Sequence, residues 1–308
     1  QTREQHIRRE KATSNICTSR VLLAIMSSMY AVYHGYEGIK GIAADIQSHA
    51  VTLSDELIKV GYKQMNESFF DTIEIELPAQ LKIETIKKNA IEQKINFRYI
   101  SDKHIGISVD ETTSISDLNN IIHLFAKANN KQFNGISSLV DVCKIPSNLK
   151  RTSKYLQHPV FNTYHSETEM MRYIKKLEIK DLSLNRSMIP LGSCTMKLNA
   201  ATELFSLSWP EFGAIHPFVP ADQSEGYRIL IQELEKQLCE ITGFAAISFQ
   251  PNSGAAGEYA GLMVIRAYHL SRNDAKRTLA LIPASAHGTN PASAVMAGMQ
   301  VVVVKCDD

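Results

Sequence analysis

The sequence has no apolar run approaching the ~18 residues of a membrane-spanning helix, and no signal-peptide pattern. Its five cysteines, Cys17, Cys143, Cys194, Cys239 and Cys306, never pair as C-x-x-C. Neither a disulfide framework nor a zinc site is indicated, and reduced thiols are the expectation. An excess of charge of either sign is missing too: 33 basic residues against 32 acidic ones leave a net charge of +1. So even a balance gives no footprint for nucleic acid or for a membrane surface. There is no Walker A loop and no G-x-G-x-x-G. The chain opens on Gln1 rather than Met and stops just after an apolar run. A strand that apolar, left without neighbours, invites aggregation, so an internal piece of a longer polypeptide is expected. The 308 residues suffice for about two domains, each with its own core.

What is present is concentrated in residues 245–308. An apolar run, Ala245–Phe249, reads as a strand and leads into a loop of small residues, Gln250 to Gly257. A helix is predicted from Glu258 to about Ser271, with Tyr259, Leu262, Val264, Ile265 and Tyr268 on its core face. A second apolar run, Thr278–Ile282, precedes a second polar loop, Pro283–Asn290, and Pro291 is placed as the first residue of a helix. A third run, Val301–Val304, follows. Strand, loop and helix in repetition, with continuous rather than alternating apolar strands, predict an α/β fold with a buried parallel sheet. In such sheets ligands collect at the carboxyl ends of the strands, where loops enter helix N-termini. Ser253, Gly254, Ala255, Ala256 and Gly257 are small enough to let backbone N–H groups approach an anion, and the helix dipole favours negative charge there. A tight turn that binds nothing remains open from these residues alone. His287, beside Gly288, Thr289 and Asn290, is placed to lie flat on a planar ring, or simply to be solvated.

Upstream, the Val21–Tyr33 segment is apolar nearly all round and predicts a buried helix ended by Gly35. Thr13–Asn15 offers caps before it, and the polar start with Arg3, His6, Arg8 and Arg9 reads as a solvated segment in preference to an anion patch. Residues 39–61 predict an amphipathic helix, Thr72–Leu77 a half-exposed strand, Leu81–Gln93 a helix, and Phe97–Ile100 and Ile105–Val109 two strands. Ser116 or Asp117 is expected to cap a helix through Ala128. This makes a small α+β domain, in which Asp110–Glu111 is a solvated turn rather than a metal site. Residues 131–158 look like a linker, and Glu167–Leu177 like a short helix. Ser187–Ala200 has neither helical nor strand period, and such irregular polar stretches are often functional. Cys194 has no base fixed beside it, so an inert thiol is preferred to a nucleophile. His216 is either a pocket residue or structural. Ser224 starts a helix to Thr242 with Tyr227, Leu230, Ile231, Leu234, Leu238 and Ile241 as its core face, ended by Gly243.

Five segments carry a resemblance: QPNSGAAGEYAGL, IPASAHGTNPASA, SMIPLGSCTMKLNA, WPEFGAIHPFVPADQSEGY and QTREQHIRREKATSNIC. In collinear order they resemble the glycine cleavage system P-protein, a pyridoxal-phosphate-dependent glycine decarboxylase. One departure is Ala256, where the family usually has Gln; because backbone groups do most of the anion binding, a weakened contact is expected. The resemblance implies a fold-type I transferase-like architecture, with an incomplete parallel sheet preceded by the small α+β domain. It implies that the longer protein has two homologous halves. Residues 1–45 would end the large domain of the first half, 46–130 form its small domain, 131–186 link to the second half, and 187–308 begin the second cofactor domain. It implies decarboxylation of glycine and transfer of the aminomethyl group to the lipoyl arm of an H-protein, within a glycine cleavage complex and in a dimeric full-length protein. The compartment implied is a bacterial cytoplasm or the mitochondrial matrix. Ser253, Gly254, Ala255, Ala256, His287 and Thr289 become candidate contacts for pyridoxal 5′-phosphate. Ser193, Thr195, Lys197 and His216 become candidate contacts for phosphate or substrate carboxylate. In the family the lysine that holds the cofactor's aldehyde follows the point where this chain ends, so neither Lys197 nor Lys305 is assigned that role and the isolated chain is expected to be inactive. Another pyridoxal enzyme of the same fold, or a non-catalytic interaction piece, is the alternative.

Overall fold

A computed structural model describes residues 18–180, 202 and 205–307. The chain divides into two compact units, residues 29–183 and residues 184–308 together with 1–28.

Helix α1 (Thr18–Lys59) enters the first unit from residue 29 onward and is broken at Gly35, whose φ of 62° and ψ of −169° lie outside the helical region. The break is enforced from outside the helix: a Cβ on Gly35 would sit 2.6 Å from the Phe161 carbonyl oxygen and 2.9 Å from His165. His165 Nδ1 donates to the Tyr33 carbonyl at 2.7 Å on the same side. The helix before the break is not buried as expected: Leu23, Ile25 and Met26 are 64%, 48% and 59% exposed. An all-round apolar helix needs cover on every side, and no described element supplies it there. The stretch after the break is amphipathic and buries Ala50, Leu53, Leu57 and Val60.

The strands β1 (Lys63–Gln64), β2 (Thr72–Glu76), β3 (Arg98–Tyr99) and β4 (His104–Ser108) form an antiparallel sheet in the order β1-β2-β4-β3. The alternation in β2 turns Ile73 and Ile75 inward, opposite Ile107 and Ile105 of β4. Helices α2 (Ile83–Glu92) and α3 (Ile115–Ala128) add Ile86, Leu118, Ile122 and Phe125 to this core, each with no measurable exposure. Burial of each such side chain contributes about 1.5–3 kcal/mol. The cap of α3 is Ser114, not Ser116 or Asp117. Its hydroxyl accepts the Asp117 N–H while Asp117 accepts the Ser114 N–H, a capping box that fits only with Ser114 outside the helix and Asp117 at its third position. Inside the core, the Tyr62 hydroxyl donates to the Phe125 carbonyl at 2.9 Å. Residues 131–158 are irregular except for one 3₁₀ turn at Ser147–Leu149. They are stapled to the unit by the Asn119 amide on Ile136, by the Val140 N–H on Thr52 and by the Lys144–Asp55 pair. A further helix, α4 (Glu167–Glu178), is capped by Ser166.

The second unit holds the short α5 (Pro210–Gly213), then α6 (Glu225–Thr242), α7 (Gly254–Ser271), β5 (Leu279–Pro283), α8 (Thr289–Met296) and β6 (Gln300–Val304). Gly243 ends α6 at φ 74°, in the left-handed region that glycine enters without strain. The β5 and β6 strands pair in parallel, from Leu279↔Gln300 to Pro283↔Val304. The resulting mixture of helices with a parallel strand pair is of the α/β kind. Four expectations are corrected. Ala245–Phe249 carries no strand, because a strand needs a ladder partner and no described segment pairs with it. The parallel sheet is not buried: Leu279, Leu281 and Val303 are 61%, 70% and 64% exposed. The intended core faces of α6 and α7 are open as well, with Leu230, Ile231, Leu234, Ile241, Val264, Ile265 and Tyr268 all exposed. Two strands and the described helices do not make a second layer over these faces. Pro291 is the third residue of α8 rather than the first; the opening turn of a helix has no internal acceptors for its N–H groups, so proline is tolerated there as well.

Candidate functional site

The loop before α7 has the geometry of an anion-accepting helix start. Ser253 is extended (φ −161°, ψ 163°), its hydroxyl accepts the Ala256 N–H at 3.2 Å, and its carbonyl accepts the Gly257 N–H at 2.9 Å. Those bonds leave the Gly254 and Ala255 N–H groups, which no helical carbonyl reaches, at the positive end of an 18-residue helix. A Cβ added to Gly254 or Gly257 would meet nothing within 4 Å, so the outer side of the loop is open. The helix begins at Gly254, four residues before the predicted Glu258, because the small residues themselves form its first turn.

The second loop joins β5 to α8. Its His287 ring is exposed, and Nδ1 accepts the Thr289 N–H at 3.2 Å with the Thr289 hydroxyl 2.9 Å away. Thr289 itself is buried. The loop is tied to the end of β6 by the Ala284 N–H on the Val304 carbonyl, and Ser285 Oγ lies 3.3 Å from Cys306 Sγ. Hydrogen bonds from the Ser285 hydroxyl first, then from nearby backbone N–H groups, hold the Cys306 thiol below the usual cysteine range. That pairing was not anticipated; the equal placement of Ser285 and Cys306 two residues past paired parallel strands is the signal that could have shown it.

Between the two loops' helices and β5 runs a groove of about 360 Å³, lined by Glu258, Leu262 and Ile265 of α7, Leu281 and Pro283 of β5, and Asn290 of α8, among others. Among the described residues its wall is mostly apolar and carries no lysine. Ser253 and His287 are not in the wall; His287 adjoins Ala286, which is, and Ser253 caps α7, whose first residue in the wall is Glu258. His216 is not brought to this groove. It is exposed, and its Nδ1 accepts the Phe218 N–H at 3.0 Å, the bond of a local turn. Ser193, Thr195, Lys197 and Cys194 lie outside the described residues, as do Arg3, His6, Arg8, Arg9, Cys17 and Thr13–Asn15. Asp110 caps its own turn, accepting from Thr112 and Thr113, which hold its carboxyl below the ordinary range. Among the described residues no group of three His, Cys, Asp or Glu side chains could hold a metal ion.

Residues 1–125 match the glycine cleavage system P-protein family. Across 99% of its length the chain is 57% identical to a glycine dehydrogenase (decarboxylating) of Flavobacterium johnsoniae. Over its full length it is 57% identical to the protein of that name from Christiangramia forsetii and 55% identical to that from Paraburkholderia xenovorans. In each case it spans 32% of the relative, about a third of its length.

Proposed function

The chain belongs to the glycine cleavage system P-protein family, and from that premise we propose that it forms part of a glycine decarboxylase. The intact protein releases carbon dioxide from glycine and passes the aminomethyl group to the lipoyl arm of an H-protein. The observation that carries this reading is the Ser253-capped start of α7, open on its outer side, inside a sequence shared with these relatives from end to end.

The residues fit one end of pyridoxal phosphate. The N–H groups of Gly254 and Ala255 and the Ser253 hydroxyl would hold the phosphate, with the dipole of α7 favouring its charge. Ala255 and Ala256 keep side-chain bulk away from it. His287 would lay its ring against the flat heterocycle, and the apolar wall of the groove keeps water from its edge. When bound, the cofactor supplies an electron sink for the charge left by loss of carbon dioxide. The lysine that would hold its aldehyde is assigned to the part of the longer protein beyond this chain. Ser193, Thr195 and Lys197 remain proposed contacts for phosphate or substrate carboxylate; the turn-bound His216 has the weakest case. Glycine, the H-protein, the glycine cleavage complex, a dimeric intact protein, and a bacterial cytoplasm or mitochondrial matrix complete the reading. Among the described residues no helix is long and apolar enough to cross a membrane.

The test is release of labelled carbon dioxide from glycine, with pyridoxal phosphate and lipoylated H-protein supplied. The intact polypeptide carrying this segment is expected to turn over and the 308-residue chain alone is not. An inactive intact protein contradicts the reading, and an active isolated chain contradicts the missing-lysine part of it.

A further inference from the structure

Thr289 entered the site as a contact for the cofactor, yet its geometry turns it toward the protein. It is only 5% exposed, and both of its polar donors meet one atom, His287 Nδ1. The backbone N–H of Thr289 donates to Nδ1, so that nitrogen is an acceptor and the neutral ring carries its proton on Nε2. The Thr289 hydroxyl, 2.9 Å from the same nitrogen, then shares that nitrogen's single lone pair with the N–H as a bifurcated donor pair. Two donors from one rigid β-branched residue fix the tautomer and the ring's rotation together. The imidazole is left exposed, with an Nε2–H that has no hydrogen-bond partner among the described residues. Locally, then, His287 is held as a flat ring with Nδ1 turned to Thr289 and Nε2 turned outward.

We propose that Thr289 is a positioning residue that locks the His287 imidazole as its Nε2–H tautomer in the orientation that meets a flat heterocyclic ligand, without touching that ligand itself. This rests on His287 being the ring partner of the cofactor in the intact protein. Loss of the hydroxyl frees the ring to rotate and to exchange tautomers, while the backbone bond alone holds it more loosely. A neutral hydrogen bond of this kind contributes about 0.5–1.5 kcal/mol, which corresponds to roughly twofold to tenfold in affinity.

The test is a double-mutant cycle on the intact protein, read as the dissociation constant of pyridoxal phosphate from absorbance titration. His287→Ala and Thr289→Val each weaken binding, and the double variant binds no more weakly than His287→Ala alone. Thr289→Ser, which keeps the hydroxyl, stays within twofold of the wild type. Additive losses would show that Thr289 meets the ligand directly and would overturn the proposal, as would Thr289→Val binding like the wild type while His287→Ala does not. If His287→Ala binds normally, the underlying assignment of His287 fails instead, which is a distinct result. Should Thr289→Val not fold, Thr289→Ala takes its place in the cycle. Independently of any ligand, ¹⁵N imidazole shifts of His287 are expected to report a pure Nε2–H ring in the wild type and a tautomer mixture in Thr289→Val; a mixture in the wild type contradicts the lock.

Discussion

Residues 29–183 and residues 205–307 were made from similar apolar material and met different fates. The first unit supplies all its own layers: the sheet's inner face, α2, α3 and the second half of α1 enclose Phe125, Leu53, Ile75 and Ile105 with no measurable exposure. The second unit has apolar helices and strands whose faces stay open, and among its described residues only Ile282, Ala294 and Ala297 are buried hydrophobics. Among the described residues the self-sufficient unit gathers no group of three His, Cys, Asp or Glu side chains that could hold a metal ion, whereas the open one carries the Ser253-capped helix start, His287 and the apolar groove of the proposed site.

That contrast can be broken most sharply in the cores. Phe125→Ala is expected to destabilise the first unit by about 3–5 kcal/mol, and Leu281→Ala, at a position 70% exposed, to change the second by less than about 0.5 kcal/mol. Hydrogen exchange resolved by segment separates the two, and equal effects would end the comparison. A smaller effect belongs to Gly298, which is at φ +75° with Arg266 Nη1 only 2.2 Å from where a Cβ would stand; Arg266 donates to the Ala297 carbonyl there. Gly298→Ala should lower stability of the second unit by about 1–3 kcal/mol. Gly261→Ala, in helix α7 with open space around it, should raise it by about 0.5–1 kcal/mol. Thermal unfolding followed at the single tryptophan, Trp209, reports on that unit.

The hydrogen-bonded groups of the first unit sharpen the comparison through pH. Burial pushes the Tyr62 hydroxyl well above the ordinary tyrosine range. A folded value above the unfolded one gives stability that is present below about pH 10 and lost as pH rises through the folded value. Tyr62→Phe removes that alkaline loss and costs about 0.5–1.5 kcal/mol at neutral pH, because the buried Tyr62–Phe125 hydrogen bond is lost while the carbonyl keeps the Asn129 N–H. In acid the sign reverses. The Ser114 hydroxyl and then its N–H hold the Asp117 carboxyl low, so its contribution is present above about pH 4 and fades as pH falls through the folded value. Asp117→Asn should flatten that slope and cost at most about 1 kcal/mol, since the group is mostly exposed. The smallest effect is chemical: Ser285→Ala should slow alkylation of Cys306 by raising its thiol, and an unchanged rate would remove the Ser285 contact from the account.

The sequence made parts of this legible for definite reasons. Period two in Thr72–Leu77 marked a strand with one buried face, whereas the start of α7 was placed at Glu258, because small residues read as a loop and here form the helix's first turn. Period could not say whether a face finds cover, so Leu23, Ile25 and Met26 of the first helix and Leu230, Ile231, Leu234 and Ile241 of α6 were expected inside and lie exposed. Ala245–Phe249 had the composition of a strand but no partner to pair with, which is a property of the neighbours rather than of the segment. Ser114, Ser116 and Asp117 are all capping types, and only the reciprocal bond distinguishes among them. The Thr289–His287 bond depends on the turn between them, which residue types alone do not specify.

The most direct measurement is the affinity of the intact protein for pyridoxal phosphate when Ser253→Ala and Gly254→Val are combined. The account predicts that binding weakens by more than about tenfold, because a charge-assisted hydrogen bond and access to the backbone N–H groups are lost together. Unchanged affinity would place the phosphate elsewhere and contradict the assignment of the α7 start as its binding site.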